Sequence, residues 1–359
     1  MTPNRPELLS QIGVAREIAA AEGLQLALPP IDGAPDGEPR LEPSTDGRAH
    51  AAGVDISIDD ADLCSRYIGL VIRGVRIGPS PEWLASRLRA VGLRPISNVV
   101  DATNWILHEL GQPLHAFDLA RLGSQVRIRR ARAGERITTL DGVERRLDEG
   151  MLVIADARRP VAIAGVMGGA DTEVQHDTTD VLLECALFDA KSVRATRRAL
   201  NLGTDASYRF ERGVDPHGLA QAAVRAAQLI VAVAGGTIEP AGAFAATGRP
   251  PAPEVQLRLA RVHQLLGESF TAAQVADLLS PLGFVVGEAG EGVVSVGVPG
   301  FRSYDVAREV DVIEEIARRH GYDRFPDELR PFRPSNVPTH PLFLLEDRLR
   351  TLLVGRGLL

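Results

Sequence analysis

Leu8, Leu9, Ile12, Ala15 and Ile18 recur at helical spacing behind Pro6, a residue suited to a first turn, and predict one amphipathic helix over 6–22. From 28 to 62 the periodicity gives way to Pro, Gly, Asp and Glu, with a weak strand signal at 54–58, as expected of a surface connection ending at a domain boundary. A strand at 66–77 follows, then helices at 81–91 and 98–110, the second closed by Gly111 and Pro113. Short alternating runs at 125–130, 136–139, 152–155, 161–166 and 181–187, with a turn at Asp141-Gly142, precede helices at 189–200 and 216–234. Strands framed by helices at both ends, without regular strand–helix alternation, predict an α+β domain on a mixed sheet that closes near Gly236.

A Pro/Ala-rich connection at 240–253 leads to a smaller unit. Its predicted order is strand 254–259, helices 259–266 and 271–281, strands 284–287 and 292–298, then a helix at 306–320, an order that suggests a winged-helix-like module. Four domains or remnants result: 1–60, 66–237, 250–326 and 335–359. In the last, Leu345, Leu349, Leu352 and Leu353 form one helical stripe with no later element to cover it, so the chain is expected to be partial.

With 359 residues, 45% of them hydrophobic and 24% charged, the chain has a globular composition and length for two or three domains. No apolar stretch approaches the roughly 20 residues needed to span a bilayer, and the N-terminus has no secretory pattern, so no membrane contact is expected. Two cysteines, Cys64 and Cys185, are too few for a disulfide framework and fit a reducing cytoplasm. At net charge −7 the chain offers nucleic acid no global positive field, and any such contact must come from a local patch.

Five clusters could carry chemistry. Thr103 and Asn104 lie on the helix at 98–110, and His115 follows Pro113, which would present the imidazole from a rigid turn; the other reading has His115 satisfying the helix's last carbonyls. Glu184 interrupts an apolar strand, and a buried carboxylate must be compensated, by a ligand's donor or by a structural Arg. Gly168 and Gly169 would let a ligand approach the backbone, or serve a tight turn. In 204–213, Arg209 and Arg212 could bind phosphate while Tyr208 and Phe210 stack on a base or pack inward; a salt-bridged edge strand is the alternative. Asp305, Asp311, Glu314 and Glu315 would converge on one helix and suit Mg²⁺, unless they complement the helix dipole and pair with Arg308 or Arg318.

The blocks TPNRP at 2–6, GVARE at 13–17, NVVDATN at 98–104 with GQPLHAFD at 111–118, GVMGG at 165–169, LE at 183–184, YRFERGVDP at 208–216, and DVIEE at 311–315 with GYD at 321–323 occur in one order along the chain. Together they resemble the bacterial phenylalanyl-tRNA synthetase β-subunit family. The resemblance implies an α+β fold in which a mixed-sheet editing domain of the B3/B4 type is followed by a small winged-helix-like domain of the B5 type. It implies a tetramer of two alpha and two beta chains that charges tRNA(Phe) with phenylalanine using ATP, and editing of mischarged Tyr-tRNA(Phe) by the beta chain. By the same resemblance His115, Glu184 and Thr204 carry the editing, Thr103, Asn104, Pro113, Gly168 and Ala206 surround the aminoacyl-adenosine, and Asp305, Asp311, Glu314 and Glu315 hold a Mg²⁺ shared with alpha. Glu184 would accept the tyrosine phenol O–H. Family members begin earlier, with a tRNA-binding OB-fold inserted before the TPNRP block, and continue beyond the position of Leu359 into a synthetase-like domain, of which 335–359 is expected to be the start. The alternative is a noncatalytic docking or nucleic-acid-binding fragment.

Overall fold

A computed structural model describes residues 4–35, 37–250, 252–325 and 338–358. It divides into two units, Met1–Tyr322 and Asp323–Leu359. The first helical segment is broken where one helix was expected. Pro6–Leu9 is a single 3-10 turn, Ser10 is extended, and α1 (Gln11–Glu22) starts afresh because the Ser10 hydroxyl accepts the Gly13 N–H at 3.1 Å. A serine that can cap outcompetes continuation of the helix.

The expected surface connection contains a hairpin, β1 (Arg48–Ala51) and β2 (Val54–Ile58), turned at Ala52 and Gly53, both at positive φ. Then come β3 (Cys64–Arg73), α2 (Glu82–Ala90), α3 (Asn98–Leu110), β4 (Leu114–Asp118) and the single turn α4 (Leu119–Leu122). They are followed by β5 (Gln125–Arg130), β6 (Arg136–Thr138), β7 (Glu144–Arg146), β8 (Leu152–Ala155), β9 (Pro160–Ile163) and β10 (Met167–Gly168). The large domain ends with β11 (Asp180–Phe188), α5 (Ala190–Ala199), α6 (Asp205–Phe210), α7 (Leu219–Ala234), β12 (Thr237–Ile238) and β13 (Ala243–Ala246).

These strands make two main sheets. One has the order β1-β2-β5-β8-β9-β10 and is mixed, since β2 and β5 run parallel; the other is antiparallel, β12-β3-β11-β4, with β13 also on β3. The sheets share one core, in which Ile56 and Ile128 of the first meet Leu70 and Leu182 of the second. Their approach is close at Gly69, where a Cβ would stand 2.6 Å from Ile56 Cδ1. The α+β class and the mixed sheet are as expected. The sheets nevertheless extend past 66–237: the hairpin at 48–58 and β13 at 243–246 look like connections in the sequence because short strands gain their stability from partners distant in sequence.

The smaller module keeps the predicted order: β14 (Glu254–Arg258), α8 (Leu259–Leu266), α9 (Ala272–Leu279), β15 (Val285–Gly290), β16 (Val293–Gly297) and α10 (Glu309–His320). Its strands pair β14-β16-β15. In the second unit the predicted final helix is α11 (Pro341–Gly355).

Candidate active site

β11 runs between β3 and β4, and its register sets Glu184 directly across from His115 on β4 and from Gly69 on β3. Directly opposed residues of an antiparallel pair share a face, so the carboxyl and the imidazole emerge side by side. Tyr67 lies opposite Ala186, one diagonal step along the same face, and its O–H donates to Glu184 Oε2 at 3.1 Å. The next residue points the other way, as the strand period requires: Cys185 Sγ reaches the Leu219 carbonyl on α7 at 3.4 Å.

The face carrying Glu184 borders a cavity of about 400 Å³. α3 contributes Thr103, Asn104 and Leu107; Pro113, Leu114 and His115 lead into and along β4; Ile154, Ala162 and Ile163 come from β8 and β9 of the mixed sheet; Gly168 from β10; and Thr204, Ala206 and Phe210 from α6 and its cap. All eight residues expected around an aminoacyl-adenosine line this one cavity.

Glu184 is 6% exposed. Burial pushes its carboxyl up to about 8, against a smaller downward pull from the Tyr67 hydrogen bond, so the neutral acid dominates at neutral pH. The structural arginine considered as its partner is not there; among the described residues the Tyr67 phenol is the one hydrogen-bond donor it meets. Burial likewise pushes His115 down to about 4, leaving a neutral ring. Its Nε2 is buried and has no hydrogen-bond partner among the described residues, and the ring stands edge-on to Phe117, centroids 4.4 Å apart.

His115 is on a strand rather than a rigid turn, and it does not close α3; Gly111, at φ 78, does that by donating to the Leu107 carbonyl. Gly168 is the floor under the imidazole. A Cβ there would collide with His115 Cε1 and stand 2.7 Å from Nε2, so the missing side chain admits a protein ring, not a ligand. Gly169 similarly admits the Val161 carbonyl.

Thr204 is the N-cap of α6: its hydroxyl donates to the Val166 carbonyl at 2.8 Å and accepts the Ser207 N–H. Thr103 is turned back on its own helix, donating to the Val100 carbonyl at 2.7 Å, whereas the Asn104 amide makes no hydrogen bond among the described residues. Residues 205–210 form a helix, so neither an edge strand nor a phosphate clamp results. Arg209 is buried, donating to the Leu9 carbonyl; Phe210 packs on Phe188; and Arg212 stacks on the Tyr208 ring, 3.5 Å from its centroid.

The four acids assigned to Mg²⁺ do not converge. Asp305 and Glu315 both close on the buried Arg302, at 2.9 and 2.8 Å, and Glu315 also takes Arg318. Asp311 accepts the Ala307 and Arg308 N–H groups and pairs with the Arg308 guanidinium, while Glu314 is exposed. Among the described residues no group of three or more His, Cys, Asp or Glu side chains is arranged to hold a metal ion. The arginine pairing held open for these acids is the arrangement found, because guanidinium groups on the same helix and the turn before it neutralise them first.

Tyr67 escaped notice in the sequence. It sits in an unbroken apolar run, and only the cross-strand register places it beside Glu184.

Residues 63–235 match the B3/4 domain family and residues 255–322 the tRNA synthetase B5 domain family. This pair of domains defines a beta subunit of the aminoacyl-tRNA synthetase class. The chain is 46% identical over 359 residues to the phenylalanine–tRNA ligase beta subunit of Carboxydothermus hydrogenoformans, covering 100% of this chain and 43% of that one. It is 49% identical over 338 residues to that of Moorella thermoacetica, covering 94% and 40%. The chain thus belongs to the phenylalanine–tRNA ligase beta-subunit family and spans about two-fifths of the length of these relatives. An N-terminal fragment of the Pyrococcus horikoshii phenylalanyl-tRNA synthetase beta subunit aligns with a TM-score of 0.43 and 16% identity, over 89% of this chain and 85% of that one. Among the described residues no helix is long and apolar enough to cross a membrane.

Proposed function

We propose that the cavity at Glu184 is a proofreading site, which hydrolyses the ester joining a mistakenly attached tyrosine to the 3′ adenosine of tRNA(Phe). The observation that carries this reading is a carboxyl buried at a cavity wall with one oxygen hydrogen-bonded to Tyr67 and the other without a donor among the described residues. A pocket built only from apolar contacts rejects an added hydroxyl weakly, by about 10²-fold; a site that must hydrogen-bond that hydroxyl discriminates far more strongly, because its absence leaves a buried polar group unpaired. Tyrosine satisfies Glu184. Phenylalanine leaves it bare.

The remaining residues fit the ester end. His115, neutral and with Nε2 free, suits the binding of a ribose hydroxyl or of the attacking water, and the Asn104 amide is available beside it. Thr204 contributes by pinning the start of α6, Gly168 by seating the His115 ring, and Ala206 by leaving room. Water adds to the ester carbonyl, the bond to the ribose oxygen breaks, and that oxygen takes the proton, releasing tyrosine and uncharged tRNA.

The test is release of tyrosine from Tyr-tRNA(Phe) by the chain and by Glu184→Ala. The wild type should act well above background, and the variant should lose about 10- to 100-fold, the worth of a hydrogen bond to an ionisable group; equal, background-level rates in both would end the proposal.

As part of a longer protein, the chain would serve ATP-dependent charging of tRNA(Phe) with phenylalanine in the cytoplasm, in complex with the alpha subunit. A shared Mg²⁺ does not fit Asp305, Asp311, Glu314 and Glu315 as they stand, since arginines already hold three of them. A noncatalytic docking role gives no account of the half-bonded acid.

A further inference from the structure

Tyr67 is completely buried on β3, and among the described residues its phenol has one hydrogen-bond partner, Glu184 Oε2. A glutamate turns about three single bonds, so a carboxyl at the edge of a 400 Å³ cavity could point either oxygen, or neither, at a guest. The residue directly across on β3 does not restrain it. That residue is Gly69, which has no side chain and could not carry one without striking Ile56.

We propose that Tyr67 is a positioning residue that fixes which oxygen of Glu184 faces the cavity, and so sets the preference for a phenol over a phenyl group. This rests on the proofreading reading. With Oε2 receiving the Tyr67 hydrogen, Oε1 is the one position left for a guest. As a carboxylate, Oε1 accepts the guest O–H; as the neutral acid it keeps its proton and donates a hydrogen bond to the guest oxygen. Either form greets a phenol at one fixed point and a phenyl ring at none.

The titratable groups around Glu184 are Tyr67 and Cys64 on β3, His115 on β4, Cys185 beside it on β11, and Asp205 at the cavity wall on α6. Tyr67 is the one that donates to it. That bond favours the charged carboxyl, so its loss moves the titration midpoint of Glu184 upward.

The experiment compares the full chain with Tyr67→Phe, which removes one oxygen and keeps the ring. Two readouts are taken: deacylation of Tyr-tRNA(Phe) and Phe-tRNA(Phe), and carboxyl titration by carbon NMR, with Glu184→Gln identifying the signal. The expected result is a roughly 10-fold slower release of tyrosine, an unchanged slow release of phenylalanine, and a raised midpoint. An unchanged tyrosine-to-phenylalanine ratio, or an unmoved midpoint in the folded variant, overturns the proposal. If the wild type releases neither amino acid, the proofreading reading falls; the midpoint then still decides whether Tyr67 orients the acid. Should Tyr67→Phe not fold, a ring-fluorinated tyrosine at 67, a stronger donor, must lower the midpoint instead, and no movement there also overturns the proposal.

Discussion

Glu184 and His115 face each other across one strand pair, yet they pull stability in opposite directions with pH. The Glu184 carboxyl, raised from 4.5 to about 8, keeps a proton that the unfolded chain gives up, so its contribution is whole below 4.5 and is lost as pH climbs through 8. His115, lowered from 6.5 to about 4, refuses a proton that the unfolded chain takes; its contribution is present above 6.5 and fades as pH falls through 4. Glu184→Gln should therefore flatten the alkaline decline, with the urea midpoint falling less than in the wild type between about pH 5 and 9. Identical slopes would contradict so deep a burial. Gly168→Ala presses a methyl onto the His115 ring and should cost about 1–3 kcal/mol while slowing deacylation, measured by denaturant unfolding and tyrosine release. Sequence alone marked Glu184 and Gly168, because a charge in an apolar run and paired glycines are visible in one dimension. Tyr67 needs a second strand to be seen.

Elements were legible where their own periodicity sufficed. α3 and the strands at 125–130 and 152–155 begin and end where their patterns do. β4 looks like a turn in the sequence because five residues after a proline show no clear alternation, and β13, which includes three alanines, looks like linker until it lies on β3. α6 is six residues long, so its cap weighs heavily: Thr204→Ala should cost about 1 kcal/mol and Thr204→Ser much less, by thermal unfolding. α10 shows the limit of reading charge by spacing. Its acids do line up, but arginines at 302, 308 and 318 reach them first, so isothermal calorimetry of this chain with Mg²⁺ should give no saturable heat. A saturable heat abolished by Asp311→Ala would restore the cation.

At the scale of the first unit, charge ties the N-terminal segment to the small module. Arg318 on α10 bonds Glu17 on α1, while Arg302 holds Asp305 and Glu315 and lies beside Glu7. Burial works to raise the Glu315 carboxyl, but Arg302 and Arg318 overcome it and hold it at about 2; the stability so gained is whole above 4.5 and disappears as pH falls through 2. Arg302→Ala strands Asp305, leaves Glu315 to Arg318, and should cost about 3–5 kcal/mol in chemical unfolding, a loss that a mere surface pair would not produce.

Cys64 and Cys185 are sealed on β3 and β11, the strands that carry Tyr67 and Glu184, and burial pushes both thiols up. An alkylating reagent can meet neither sulfur until the elements packed over these strands, α7 over Cys185 among them, lift away. The pace of labelling is therefore a built-in clock for how often the core beneath the cavity comes open.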